Sequence, residues 1–130
     1  IRGLHFQKAP SAQGKLVRVI DGEIFDVVVD LRKESKTFGH SLSVTLTSES
    51  FQAFYVPEGF AHGFQVTSNT ATVFYKTTDF YNAETEVTLA WNDSETKINW
   101  PNSVSPNLSK KDSNGLCLKT LKKEIQGENS

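Results

Sequence analysis

Acid/base chemistry on an organic substrate calls for a histidine to take a proton, a carboxylate to orient that histidine, and a weak acid on the other side of the substrate. The sequence holds three histidines, His5, His40 and His62. His5 stands close behind Arg2, Lys15 opens the next strand-like run, Tyr75 lies in Val73-Phe74-Tyr75-Lys76, and Asp112 closes Leu108-Ser109-Lys110-Lys111-Asp112. Each has a structural reading as well: Tyr75 as strand packing, Lys15 as a solvated edge, Asp112 as the N-cap of a final helix. His62 sits in Val56-Pro57-Glu58-Gly59-Phe60-Ala61-His62-Gly63-Phe64. Pro57 has no amide hydrogen for a sheet ladder, and Gly59 and Gly63 accept backbone angles that other residues resist. The stretch therefore reads as a turn between two strands that aims the His62 ring inward; a loop histidine with both nitrogens satisfied is the alternative.

The elements that would position these residues are short strands. Residues 15–20 alternate with Val17 and Val19 on one side, Asp21-Gly22 is a two-residue turn signal, and residues 23–31 continue with β-branched residues, so 15–31 reads as a β-hairpin. Its second strand places Phe25, Val27, Val29 and Leu31 on one face and Ile24, Asp26, Val28 and Asp30 on the other. Asp26 among apolar neighbours is either a supporting site residue or a charge at a barrel mouth. Residues 32–39 read as a loop; 41–46, 51–56, 64–67, 71–78 and 86–91 read as strands. The polar, proline-punctuated stretch 92–114 leads to a short helix over 116–125 and a frayed tail at 127–130. Short strands separated by turns indicate an antiparallel sandwich or barrel rather than a parallel sheet with crossover helices.

The 130 residues amount to a single domain, 1–130, with enough chain to bury a core without metal or disulfide staples. Fourteen Lys and Arg against fifteen Asp and Glu leave no global field to attract nucleic acid or an anionic membrane, so an anionic ligand must be met by local cations. Cys117 is the one cysteine, which rules out an internal disulfide and fits a reducing cytoplasm. No apolar run is long enough to span a bilayer. These readings predict a cytoplasmic protein with neither nucleic-acid nor membrane partners.

Pro57-x-Gly59-x-x-His62 resembles the second motif of the cupin superfamily, small double-stranded β-helix (jelly-roll) barrels. Metal-binding cupins take two further histidines one residue apart plus a glutamate from their first motif, because alternate strand residues face the same interior. Here that slot reads His5-Phe6-Gln7, in which Gln7 is a poor substitute for imidazole, and no glutamate follows at the expected interval. The expectation is an all-β, cupin-like barrel with a short C-terminal helix and no metal.

Longer motifs carry a more specific resemblance. Arg2-Gly3-Leu4-His5-Phe6-Gln7-Lys8-Ala9-Pro10, Gly14-Lys15-Leu16-Val17-Arg18, Asp26-Val27-Val28-Val29-Asp30-Leu31-Arg32, Thr37-Phe38-Gly39, residues 56–64, Tyr75-Lys76-Thr77-Thr78, Trp91-Asn92-Asp93 and Leu108-Ser109-Lys110-Lys111-Asp112 occur in this order. Together they closely resemble the dTDP-4-dehydrorhamnose 3,5-epimerase family. The resemblance implies that His5 is the proton acceptor with Asp112 as its partner, and that Tyr75 is the proton donor on the opposite face. It implies that Lys15 and His62 hold the substrate near its C4 carbonyl, that Arg2, Glu86 and Lys111 make further substrate or nucleotide contacts, and that Tyr81 stacks on the thymine ring. Asp26 is a supporting candidate.

The implied reaction is epimerisation at C3 and C5 of dTDP-4-dehydro-6-deoxyglucose, through an enolate and without nicotinamide, flavin or metal. The family also implies a homodimer and a segment ahead of Arg2 that this sequence lacks, a segment that supplies an early strand and part of the nucleotide site. Relatives act at one position only, or move the keto group using two neighbouring histidines in place of the acid tyrosine; His5-Phe6-Gln7 with Tyr75 argues for epimerisation. A noncatalytic sugar-binding module or an inactive fragment is the reading of a different class.

Overall fold

In a computed structural model, residues 1–101 and 106–127 are described; of the tail expected over 127–130, Gly127 instead ends the last helix and the rest lies outside the described residues. The strands are β1 (Arg2–Gln7), β2 (Lys15–Asp21), β3 (Glu23–Asp30), β4 (Ser41–Thr47), β5 (Ala53–Val56), β6 (Phe60–Val66), β7 (Thr72–Thr77) and β8 (Glu86–Thr88). A single helical turn, α1 (Lys110–Ser113), and a helix, α2 (Leu118–Gly127), follow. The strands form two antiparallel sheets, one ordered β4-β3-β6-β1-β8 and the other β5-β2-β7. No helix among the described residues is long and apolar enough to cross a membrane.

The expected hairpin over 15–31 is not formed. β2 pairs with β5 and β7, whereas β3 pairs with β4 and β6, so the Asp21-Gly22 corner carries the chain from one sheet to the other. Gly22 has φ +82, and a Cβ there would lie 2.2 Å from the Thr70 carbonyl oxygen, so the glycine serves the corner itself and not a two-stranded ladder. A two-residue turn signal reports a sharp reversal; which neighbour each strand takes is decided by what its face can bury.

The alternation along β3 is as its residue pattern indicates, with both faces covered. Ile24 and Val28 join Val17, Val19, Leu46 and Val56 in a core between the two sheets. Val27, Val29 and Leu31 join Leu4, Ala61, Leu89, Trp100, Leu118 and Leu121 in a second core beneath the C-terminal elements. Each such side chain contributes roughly 1.5–3 kcal/mol by leaving water. Helix α2 is therefore held by Leu118, Leu121 and the partly buried Ile125, the apolar stripe of an otherwise polar segment.

Strand β6 differs from its expected start at residue 64. It begins at Phe60, so only residues 57–59 turn and His62 stands within the strand at the centre of the five-stranded sheet. Pairing to β1 on one side and β3 on the other gives His62 its direction, opposite His5 and Val28. The outer face of the three-stranded sheet stays partly open, with Leu16, Ile20, Tyr55 and Phe74 exposed.

Candidate active site

The inter-sheet core is apolar at one end and polar at the other. Along β2, Val17 and Val19 are buried in the core, and Lys15 continues the same inward face to the rim. Lys15 pairs with Thr77 and Val17 with Tyr75, so Tyr75 also points inward from β7. Across from them, on the other sheet, are His5 of β1 and His62 of β6. A cleft of about 360 Å³ opens between these walls, lined among others by Arg2, His5, Lys15, Tyr75, Tyr81 and Glu86. A recess of about 30 Å³ extends from it to His62.

Arg2 and His5 share this cleft because β1 is not a regular strand. They stand three positions apart, which in an even pleat would put them on opposite faces. Arg2 pairs with Phe64 and His5 with His62, so three steps on β1 match two on β6: a β-bulge, which restores both side chains to one face. Gly3 makes the bulge, with φ +109 and space for no side chain, since a Cβ would lie 2.7 Å from both the Gly63 Cα and the His62 carbonyl oxygen. Its freed amide donates to Asp112 Oδ2 at 3.2 Å.

Asp112 is 3% exposed and its Oδ1 lies 2.6 Å from His5 Nε2. Its own amide donates to Ser109 Oγ at 3.1 Å, so Ser109 is the N-cap of α1 and Asp112 is free to face the cleft, contrary to the capping alternative. Burial disfavours the Asp112 carboxylate, but the hydrogen bonds from His5 and the Gly3 amide outweigh it and hold its pKa below the ordinary value. Burial likewise lowers the pKa of His5, with the Asp112 hydrogen bond opposing in part. The imidazole is thus neutral at neutral pH. With Nε2 engaged by Asp112, Nδ1 carries the ring's available lone pair, 3.9 Å from Glu86 Oε1.

Glu86 closes this side of the cleft. It pairs with Gln7 across β1 and β8 and takes a 2.7 Å hydrogen bond from Lys111 Nζ. Burial would raise its pKa, and the bonds with Lys111 and Tyr81 outweigh that, so the pKa is lowered. The same interactions, a hydrogen bond to Glu86 in each case, raise the pKa of both Lys111 and Tyr81. On the facing sheet, burial lowers the pKa of Lys15, with Glu86 opposing. Arg2 Nη2 donates to the Tyr75 hydroxyl at 3.4 Å, setting a cation beside a weak acid.

Asp26 is no barrel-mouth charge: it is fully buried, with Oδ1 2.7 Å from His62 Nε2. Its Oδ2 has no hydrogen bond among the described residues, so the His62 contact carries its compensation. All ten residues singled out from the sequence thus occupy the cleft or, for Asp26 and Asp112, the layer that holds its two histidines. Two were missed. Gly3 could have been flagged as a glycine inside a strand pattern, a bulge signal, whereas nothing in the chain marks Gln7 as a hub.

A family model described as dTDP-4-dehydrorhamnose 3,5-epimerase matches residues 1–120. The chain belongs to this family. It is 51% identical over 112 residues to the dTDP-4-dehydrorhamnose 3,5-epimerase of Salmonella typhimurium, covering 86% of this chain and 61% of that one. The dTDP-6-deoxy-D-glucose-3,5-epimerase of Legionella pneumophila, solved in complex with dTDP-4-keto-L-rhamnose, superposes with a TM-score of 0.90 at 44% identity, over 95% of this chain and 65% of that one. A 3'-monoepimerase from Streptomyces bikiniensis, in complex with dTDP-quinovose, gives 0.89 at 31% identity over 96% and 63% of the two chains. The cupin-type barrel is thus common to the family, and the chain spans about three fifths of these relatives' lengths.

Proposed function

We propose that this chain carries the chemistry of a dTDP-4-keto-6-deoxy-sugar 3,5-epimerase. The observation that supports this reading best is the pair of walls: His5 on one sheet, backed by Asp112 of α1, faces Tyr75 and Lys15 on the other sheet across a single cleft. In a 4-keto sugar, loss of the hydrogen on C3 or C5 leaves an enolate whose charge lies on O4. His5 Nδ1 takes the proton, and Asp112 stabilises the imidazolium so formed. Lys15 stabilises O4, and His62, held by Asp26, lines the same end of the cleft to hold the substrate there; a donor such as Lys15 is typically worth roughly 3 kcal/mol in the transition state. Tyr75 returns a proton from the opposite wall, which inverts the centre. Arg2 and Lys111 meet the diphosphate, and Tyr81 takes the base.

Solvent deuterium incorporation into dTDP-4-keto-6-deoxyglucose tests this. Label at both C3 and C5 is expected, abolished by His5→Ala and retained in part by Tyr75→Phe, which forms epimer poorly. Label at one position alone would make the chain a monoepimerase, the activity named for the Streptomyces bikiniensis relative. No label, or full activity in His5→Ala, would overturn the assignment. A homodimer belongs to the same reading, and the exposed apolar outer face of the β5-β2-β7 sheet supports it; sedimentation as a monomer at micromolar concentration would contradict it.

A further inference from the structure

Gln7 is 7% exposed, and its side-chain amide is spent on backbone. Nε2 donates to the carbonyl oxygens of Ser11 at 2.6 Å and Phe80 at 3.2 Å, while Oε1 accepts from the Asn82 amide at 3.0 Å. Two carbonyls and one N–H fix the amide orientation, and both donors are used, leaving none for a ligand. Asn82 extends the clamp: its Nδ2 donates to Ser11 Oγ at 3.1 Å, and its carbonyl receives the Thr85 and Glu86 amides at 3.2 Å. One buried side chain thereby ties β1 to residues 80–82 and, through them, to the start of β8.

Tyr81 stands between the two residues that Gln7 holds. Its own side chain is 65% exposed, and Phe80 beside it is 89% exposed. Little packing directs either ring: Tyr81 is held at its far end by the hydroxyl's hydrogen bond to Glu86, and its near end takes its direction from the backbone. The Gln7 bonds to Phe80 and Asn82 flank Tyr81 and hold that backbone end.

Resting on the reading that Tyr81 receives the nucleobase, we propose that Gln7 is a positioning residue: it fixes Tyr81 and so sets affinity for the nucleotide end of the substrate without entering the proton transfers at His5 and Tyr75. A base on a mobile aromatic ring must pay for ordering that ring, whereas the Gln7 clamp on its backbone and the Glu86 bond at its hydroxyl order it before the ligand arrives.

The test is a double-mutant cycle on dTDP binding, read by calorimetry on the full chain, with Gln7→Met, Tyr81→Ala and the two combined. Gln7→Met keeps the volume and removes the donors; it should weaken dTDP about tenfold, a typical loss for one stacked base. In the Tyr81→Ala background it should cost nothing further. With the keto-sugar substrate, KM should rise while kcat stays within about twofold. Additive losses in the cycle, or a fall in kcat at unchanged KM, would overturn the proposal. Hydrogen exchange at the Asn82 amide in the unliganded protein reads the clamp directly: it should quicken about tenfold in Gln7→Met, and unchanged protection sinks the idea. A wild type that fails to bind dTDP would count against the functional reading, while the Asn82 amide still decides the clamp. Gln7→Asn, too short to reach both loops, carries the same expectations should Gln7→Met not fold.

Discussion

Replacing Asp112 by asparagine changes little in shape and removes one acceptor, and the geometry says what that must do. In the wild type Oδ1 faces His5 Nε2 at 2.6 Å and Oδ2 accepts from the Gly3 amide at 3.2 Å. Both neighbours require an acceptor if His5 is to keep its proton on Nε2 and present Nδ1 as base. Asparagine offers one oxygen and one NH₂ group. With the oxygen toward His5, the NH₂ group meets the Gly3 N–H and a buried donor loses its partner, at a cost of about 1–3 kcal/mol in stability. With the oxygen toward Gly3, the NH₂ group donates to Nε2, the imidazole proton moves to Nδ1, and the base is blocked. In either arrangement the imidazolium loses its counter-charge. General-base catalysis contributes about 10²- to 10⁴-fold, which at roughly 1.36 kcal/mol per decade is about 2.7–5.4 kcal/mol of barrier. Exchange of the C3 and C5 hydrogens of the 4-keto sugar with deuterated solvent should slow by that factor, with dTDP binding unchanged. A rate within about threefold of wild type would refute the argument that the carboxylate selects the His5 tautomer.

Two further outcomes follow from the same wall. Gly3→Ala forces a side chain onto a backbone at φ +109, with Cβ 2.7 Å from the Gly63 Cα; strain of about 1–3 kcal/mol and overpacking of about 1–3 kcal/mol predict a loss of about 2–6 kcal/mol in urea unfolding. Gly127→Ala, whose added Cβ would meet nothing within 4 Å, is the control and should cost nothing, so equal effects of the two changes would refute the bulge as the cause. Stability should also fall toward acid. Burial holds the His5 pKa below its ordinary 6.5, so from 6.5 down to that lowered value the unfolded chain binds the proton more readily and stability is lost as pH drops. Asp112, held below its ordinary 3.8 because its hydrogen bonds outweigh burial, stabilises the fold above that value and stops doing so as pH falls through its depressed pKa. The urea midpoint should therefore decline between about pH 7 and about pH 5 more steeply in wild type than in His5→Asn; identical slopes would contradict the assignment.

The strand runs, the two-faced pattern of β3 and the proline that ends β5 were legible in the sequence, because each is a local property: period-two alternation, a missing amide hydrogen, a run of β-branched residues. The chemical types of the site were legible too, since a base, a carboxylate, a cation and a phenol are recognisable wherever they stand. Pairing and parity were not. Asp21-Gly22 announced a reversal without saying that β2 and β3 enter different sheets. Arg2 and His5, three residues apart, belong to opposite faces of any regular strand, and only the register against β6 shows the bulge that unites them. His5 and Asp112 are 107 residues apart in the chain and 2.6 Å apart at their polar atoms. Gln7 read as a failed metal ligand until its partners on a distant loop gave it another role. Local sequence determines what a segment can form and which side chains it can present. Which of them meet depends on long-range pairing and burial, energies that no segment of the chain holds by itself.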